Sequence, residues 1–138
     1  MKTTYLGLAV SLLGFAGCST TRHDSTNTKS ETVLVTYHVK PGKEPELQAV
    51  LLRAWNDYRR DGLVFAEPHI LVREADGGGK TRFVEVFTWV NRATPEHAPD
   101  SVTTIWKQEE SLCEARNGHY GIEPNEVELI VPSRRAGK

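Results

Sequence analysis

The chain has 138 residues, of which 25% are charged and 38% hydrophobic, and its formal net charge is −1. That length accommodates about one domain, and the composition is that of a soluble globular chain. The charge balance supplies no basic field for holding nucleic acid, and two cysteines are too few for a disulfide framework.

Met1 and Lys2 make a short positive start, and Tyr5 to Ala16 is apolar apart from Ser11, Gly7 and Gly14. About a dozen residues is short for a bilayer span and fits the apolar region of an export signal. The run closes on Phe15-Ala16-Gly17-Cys18, which resembles the lipobox of bacterial lipoproteins. The resemblance implies cleavage of a signal peptide over residues 1–18 and lipid attachment at Cys18. Several acyl chains would hold the protein on a membrane far better than one. With Ser19 rather than Asp after the cysteine, the resemblance implies the outer membrane, facing the periplasm, in a Gram-negative cell. Residues 19–31 are Ser- and Thr-rich without a large apolar side chain. They read as a disordered tether with an end-to-end distance of about 20 Å.

Residues 32–132 carry the domain. Thr32 to Val39 alternates, with Val33, Val35, Tyr37 and Val39 on one face and Leu34, Thr36 and His38 on the other, which predicts a strand. Pro41-Gly42 ends it. Glu44 to Arg60 has Leu47, Val50, Leu51, Ala54, Trp55 and Tyr58 at helical spacing, with Pro45 in the first turn and Asp61-Gly62 closing it. His69 to Glu74 predicts a second strand. Asp76-Gly77-Gly78-Gly79 is a hairpin loop, and Thr81 to Val90 is the third strand. In a second helix opened by Asp100 or Ser101, Val102, Ile105, Trp106, Leu112 and Cys113 form the apolar face, and Asn117-Gly118 ends it. Glu126 to Val131 predicts the last strand, and residues 133–138 form a basic tail.

The order β-α-β-β-α-β is the ferredoxin-like α+β plan, a four-stranded antiparallel sheet with two helices on one face. The third strand is apolar on both faces, with Phe83, Glu85, Phe87 and Trp89 on one and Val84, Val86, Thr88 and Val90 on the other. Helices cover one face, so the other needs a second cover. An identical chain is the simplest cover, which predicts a homodimer with a barrel-like core.

Two segments carry a family resemblance: Val35-Thr36-Tyr37-His38-Val39-Lys40-Pro41-Gly42-Lys43, and Phe83-Val84-Glu85-Val86-Phe87-Thr88-Trp89. With His97 in the following connection, the stretch from about Val33 to Val131 resembles the antibiotic-biosynthesis monooxygenase family of dimeric α+β-barrel proteins. The resemblance implies a small oxidoreductase that needs neither metal nor flavin. A base takes a proton from a phenol or quinol, the electron-rich anion reacts with O₂, and an apolar cavity shields the intermediate from water. Haem-degrading relatives use an Asn on the first strand and a His soon after a Trp. Thr36, His38 and the distant His119 do not reproduce that pattern.

His97, in a loop among prolines, is the candidate general base; the alternative is a histidine that fixes the loop. His38 on the first strand, Trp89 at the end of the third and Glu85 within it are candidates to shape the cavity. A carboxylate in an apolar strand must be paired, protonated or functional, and Arg73 and Arg82 are its candidate partners. Trp55, Trp106 and Cys113 read as packing residues. No spacing of Cys, His or carboxylates resembles a metal site. The expected function is monooxygenase-like chemistry on a small aromatic or quinol compound. The rivals are a non-catalytic binder of an apolar small molecule and a dimeric scaffold, and a cavity separates the first two from the third.

Overall fold

The computed structural model describes residues 29–130. Cys18, the signal, most of the tether and the basic tail lie outside the described residues. The elements are β1 (Glu31–Tyr37), α1 (Glu44–Arg60), β2 (Val64–Ala75), β3 (Thr81–Trp89), α2 (Asp100–Leu112) and β4 (Ile122–Glu126). They form one antiparallel sheet in the order β2-β3-β1-β4, which is the ferredoxin-like arrangement expected.

Helix α1 follows its sequence signals. Pro45 sits in the first turn, Glu44 and Glu46 lie at the positive end of the helix dipole, and Arg59 and Arg60 at the negative end. The six residues at helical spacing, from Leu47 to Tyr58, are all buried. Ring contacts place both helices on the same sheet face: Trp55 and Tyr58 of α1 meet Phe87, and Trp106 of α2 meets Trp89 edge-on at 6.5 Å. On that face Val33, Val35 and Tyr37 of β1 lie opposite Phe87, Glu85 and Phe83 of β3, and all six are buried.

The other sheet face carries rows in register, Ile70–Val86–Leu34 and Val72–Val84–Thr36. Ile70 is 50% exposed and Val72 45%, so no element among the described residues covers it.

Several predicted boundaries move. Strand β2 begins at Val64 rather than His69. Four residues between Val64 and His69 run against one, Thr88, on β3, so the strand bulges around Pro68, which has no N–H for the ladder. Strand β4 is Ile122–Glu126, not Glu126–Val131. Pro124 disguises it in the sequence, yet an edge strand tolerates a residue without an N–H, and Pro124 pairs with Val35 of β1.

Helix α2 has Pro99, not Asp100 or Ser101, at its N-cap, and no side chain caps it. It stops at Leu112, where Cys113 turns extended and pairs with Val39 beyond β1. Asn117-Gly118 therefore does not end the helix. It forms a tight turn between Arg116 and His119, with φ of 54° and 82°, as expected for an Asn-Gly turn with two left-handed residues. Among the described residues no helix is long and apolar enough to cross a membrane.

Candidate functional site

A cavity of about 460 Å³ opens between the helix-covered face of the sheet and α2. β1 contributes Val33, Val35 and Tyr37 to its wall, β3 contributes Phe87 and Trp89, and α1 contributes Tyr58. Trp106 and Glu109 close it from α2, and Ile122 and Pro124 from β4. The wall is mostly aromatic and aliphatic, as small-molecule sites are, with Glu31, Glu110, Asn125 and Glu126 also on it and Tyr37, Tyr58 and Glu109 as its buried polar groups.

Those polar groups are unusual. Glu109 is 3% exposed, and its carboxyl is pushed up to about 8 by burial, with Glu85 and Glu110 adding repulsion. Burial, reinforced by Glu109, also drives the Tyr58 hydroxyl far above the phenol range. Tyr58 Oη is buried without a hydrogen-bond partner among the described residues, a state that costs about 1–3 kcal/mol unless something in the cavity pairs with it. Tyr37 is held well above its ordinary value by burial and by Glu85. Both phenols are thus donors at neutral pH, and Glu109 is poised to exchange a proton there.

Behind the cavity wall, Tyr37 Oη donates to Glu85 Oε2 at 3.1 Å, and His69 Nε2 lies 2.8 Å from Glu85 Oε1. The Trp55 ring stacks on His69 at 3.9 Å. Glu85 is therefore paired, but not with the expected arginines: Arg82 binds Glu74 at 2.7 Å on the strand's other face. The register sets both His69, beside Phe87, and Arg73, beside Phe83, diagonal to Glu85; Arg73 stays exposed, and His69 takes the carboxylate.

The expected site residues divide. Trp89 lines the cavity, and Glu85 supports it through Tyr37. His97 is exposed; its backbone N–H donates to Ala93 O at 3.0 Å, and its neighbour Pro95, not His97, reaches the cavity. His38 is buried but turned away, beside His119 and Glu123. Trp106, expected to be packing, is part of the wall. Glu109 went unread, although a signal was present: it falls between Ile105 and Leu112, on the apolar stripe of α2.

No family model matches the chain, and no curated protein matches its sequence. Solved structures do match in fold. SnoaB, a cofactor-independent oxygenase from Streptomyces nogalater, superposes with a TM-score of 0.56 at 16% identity, over 77% of this chain and 98% of that one. An antibiotic biosynthesis monooxygenase superposes at 0.55 with 14% identity, over 75% of this chain and all of its own. Rv0793 from Mycobacterium tuberculosis gives 0.56 and 14%, over 77% of this chain and 100% of that one. The architecture is thus the one shared by antibiotic-biosynthesis-monooxygenase-fold proteins.

Proposed function

We propose that this chain is a cofactor-independent, monooxygenase-like protein acting on a small aromatic or quinol compound. Supporting this is the buried carboxyl of Glu109 in an aromatic cavity, with a pKa pushed to about 8 by burial. Ionised Glu109 takes the proton of a bound phenol or quinol, a task suited to a group titrating near the working pH. Tyr58 Oη, beside the Trp106 indole but without a hydrogen-bond partner at bonding distance among the described residues, donates to the substrate's oxygen and orients the ring against Trp89 and Trp106. The substrate anion then supplies electrons to O₂. At a ring methylene, C–H bonds give way to C=O, one oxygen atom stays on carbon, and the other leaves as water. In this reading Glu109, rather than the exposed His97, is the base. His38 does not take part, and Glu85 positions Tyr37.

The second reading is a non-catalytic binder of an apolar small molecule. The absence of any histidine from the cavity wall among the described residues favours it. In either case we propose a homodimer joined through the uncovered sheet face. We further propose a lipid anchor at Cys18 that holds the protein in the cell envelope, at the outer membrane if the cell has one.

Oxygen uptake measured with a panel of quinols and anthrones tests the reaction. At least one compound should give protein-dependent uptake, and Glu109→Gln should lower its rate about 100-fold, at the lower end of general-base contributions. Saturable quenching of tryptophan fluorescence without uptake would replace the enzyme by the binder.

A further inference from the structure

Outside the cavity, the fold gathers three side chains that the chain keeps far apart. His38 follows β1, His119 closes the Asn117-Gly118 turn, and Glu123 lies in β4. One donor atom from each lies within 4.8 Å of the others. We propose that His38, His119 and Glu123 form a binding site for a divalent transition-metal cation of the zinc class.

The donor atoms are of the types a zinc shell uses, and each imidazole already lies within hydrogen-bonding reach of Glu123. His38 Nε2 stands 3.4 Å from Glu123 Oε2, and His119 Nδ1 stands 3.1 Å from Glu123 Oε1. The first separation is long for an N–H···O hydrogen bond. Zinc–ligand bonds of about 2.0–2.2 Å in a tetrahedron set donor atoms about 3.3–3.6 Å apart; the two separations, to different oxygens of Glu123, lie near that range, and an ion would draw the three donors in from their spread of up to 4.8 Å. Two imidazoles and a carboxylate select zinc, copper, nickel or cobalt over magnesium or calcium, which take oxygen donors.

The three ligands also divide the task of binding. His38 is 2% exposed, and its backbone is fixed at both ends: its N–H donates to Gly121 O at 2.8 Å, and its carbonyl accepts from Glu114 N at 2.9 Å. Its other ring nitrogen, Nδ1, is buried and has no partner among the described residues. That histidine is a rigid base for the site. The His119 side chain is 57% exposed and that of Glu123 25%. In the single chain both are open to an ion from solvent, at the β4 edge of the sheet, and water can take the remaining coordination position.

The site stands apart from the cavity and does not depend on the proposed oxygenase reading. Glu123 pairs with Thr36 on the uncovered sheet face, whereas its neighbour Ile122 pairs with Tyr37 and faces the cavity. A metal bridging His38 to Glu123 would pin β4, a five-residue edge strand, to the end of β1. Its effect would be on stability rather than on the chemistry of the cavity.

Calorimetric titration of the untagged full chain with Zn²⁺, after chelator treatment, tests the site. One ion per chain should bind in the micromolar range or tighter, and Mg²⁺ in excess should not displace it. His119→Ala and Glu123→Gln should each weaken binding by at least about tenfold. His97→Ala, an exposed histidine outside the cluster, should bind like the parent. Zn²⁺ should raise the Tm of the parent and leave that of His119→Ala unchanged. His119 is exposed, so this variant should fold, and its metal-free Tm checks that it does. No binding at about 100 µM Zn²⁺, or equal affinity in the parent and His119→Ala, would overturn the proposal.

Discussion

His69 Nε2 lies 2.8 Å from Glu85 Oε1, while Tyr37 Oη donates to the other oxygen of the same carboxylate at 3.1 Å. Three strands thus meet at one side chain: β2 through His69, β1 through Tyr37, and β3 through Glu85 itself. Removing Glu85 would strand a buried phenol and an imidazole flattened against Trp55. Glu85→Ala should therefore cost about 3 kcal/mol or more, the range for breaking a buried polar pair from one side. Glu85→Gln keeps an acceptor for Tyr37 and should cost less. Urea unfolding of the two variants ranks them, and an alanine variant as stable as the parent would show that the cluster contributes nothing to the fold.

Glu109 makes stability depend on pH. Its folded pKa of about 8 stands above the ordinary 4.5, chiefly through burial and then through Glu85 and Glu110. The folded state therefore holds a proton that the unfolded state gives up. Its contribution is fully present below about pH 4.5 and is lost as pH rises through about 8. The total is on the order of a few kcal/mol. Glu109→Gln, neutral at every pH, should lack this fall, so its stability relative to the parent should grow between pH 5 and pH 8. Parallel Tm profiles for the two proteins across that window would place the Glu109 titration elsewhere.

Helix α1 was legible to the residue, and β3 to within one, because each carries a long, unbroken hydrophobic period. The sites were less legible, for distinct physical reasons. Pro124 hides an edge strand, since a missing N–H looks like a breaker until it is known which strands have two partners. Asn117-Gly118 reads equally well as a helix end and as a tight turn; the extended Cys113, paired with Val39, decides between them. The partner of Glu85 depends on strand register and on burial: Arg82 lies on the opposite face, and Arg73, on the same face beside Phe83, is exposed, which leaves His69 to pair with the carboxylate. Glu109 could have been found by asking why a carboxylate sits on an apolar stripe. His38 and His119 could not, since only the return of the chain beside β1 brings them together.

The lipid anchor is a prediction about Cys18 alone. In cells the full-length chain should sediment with membranes and need detergent for release. Cys18→Ser should appear in the soluble fraction, because no described helix is long and apolar enough to replace the lipid. A serine variant that stays with the membrane would remove the lipobox reading.

The uncovered sheet face carries the strongest test of assembly. Ile70, Val86 and Leu34 form one row across β2, β3 and β1, and Val72 and Val84 lie in the next. Aliphatic side chains in register on a half-exposed face are costly to leave in water and promote pairing with another surface. A second copy offers the same rows, so a two-fold pairing meets apolar with apolar and closes both faces. A form beginning at Ser30 should therefore run as a dimer in light scattering at about 10 µM. Val86→Glu, at the centre of the face, should shift it to monomer by placing like charges opposite one another in a dry interface. Glu109→Gln, on the helix side, should leave the dimer intact. A parent protein that is monomeric at that concentration would mean that the face is tolerated in water or is covered by something other than its own copy.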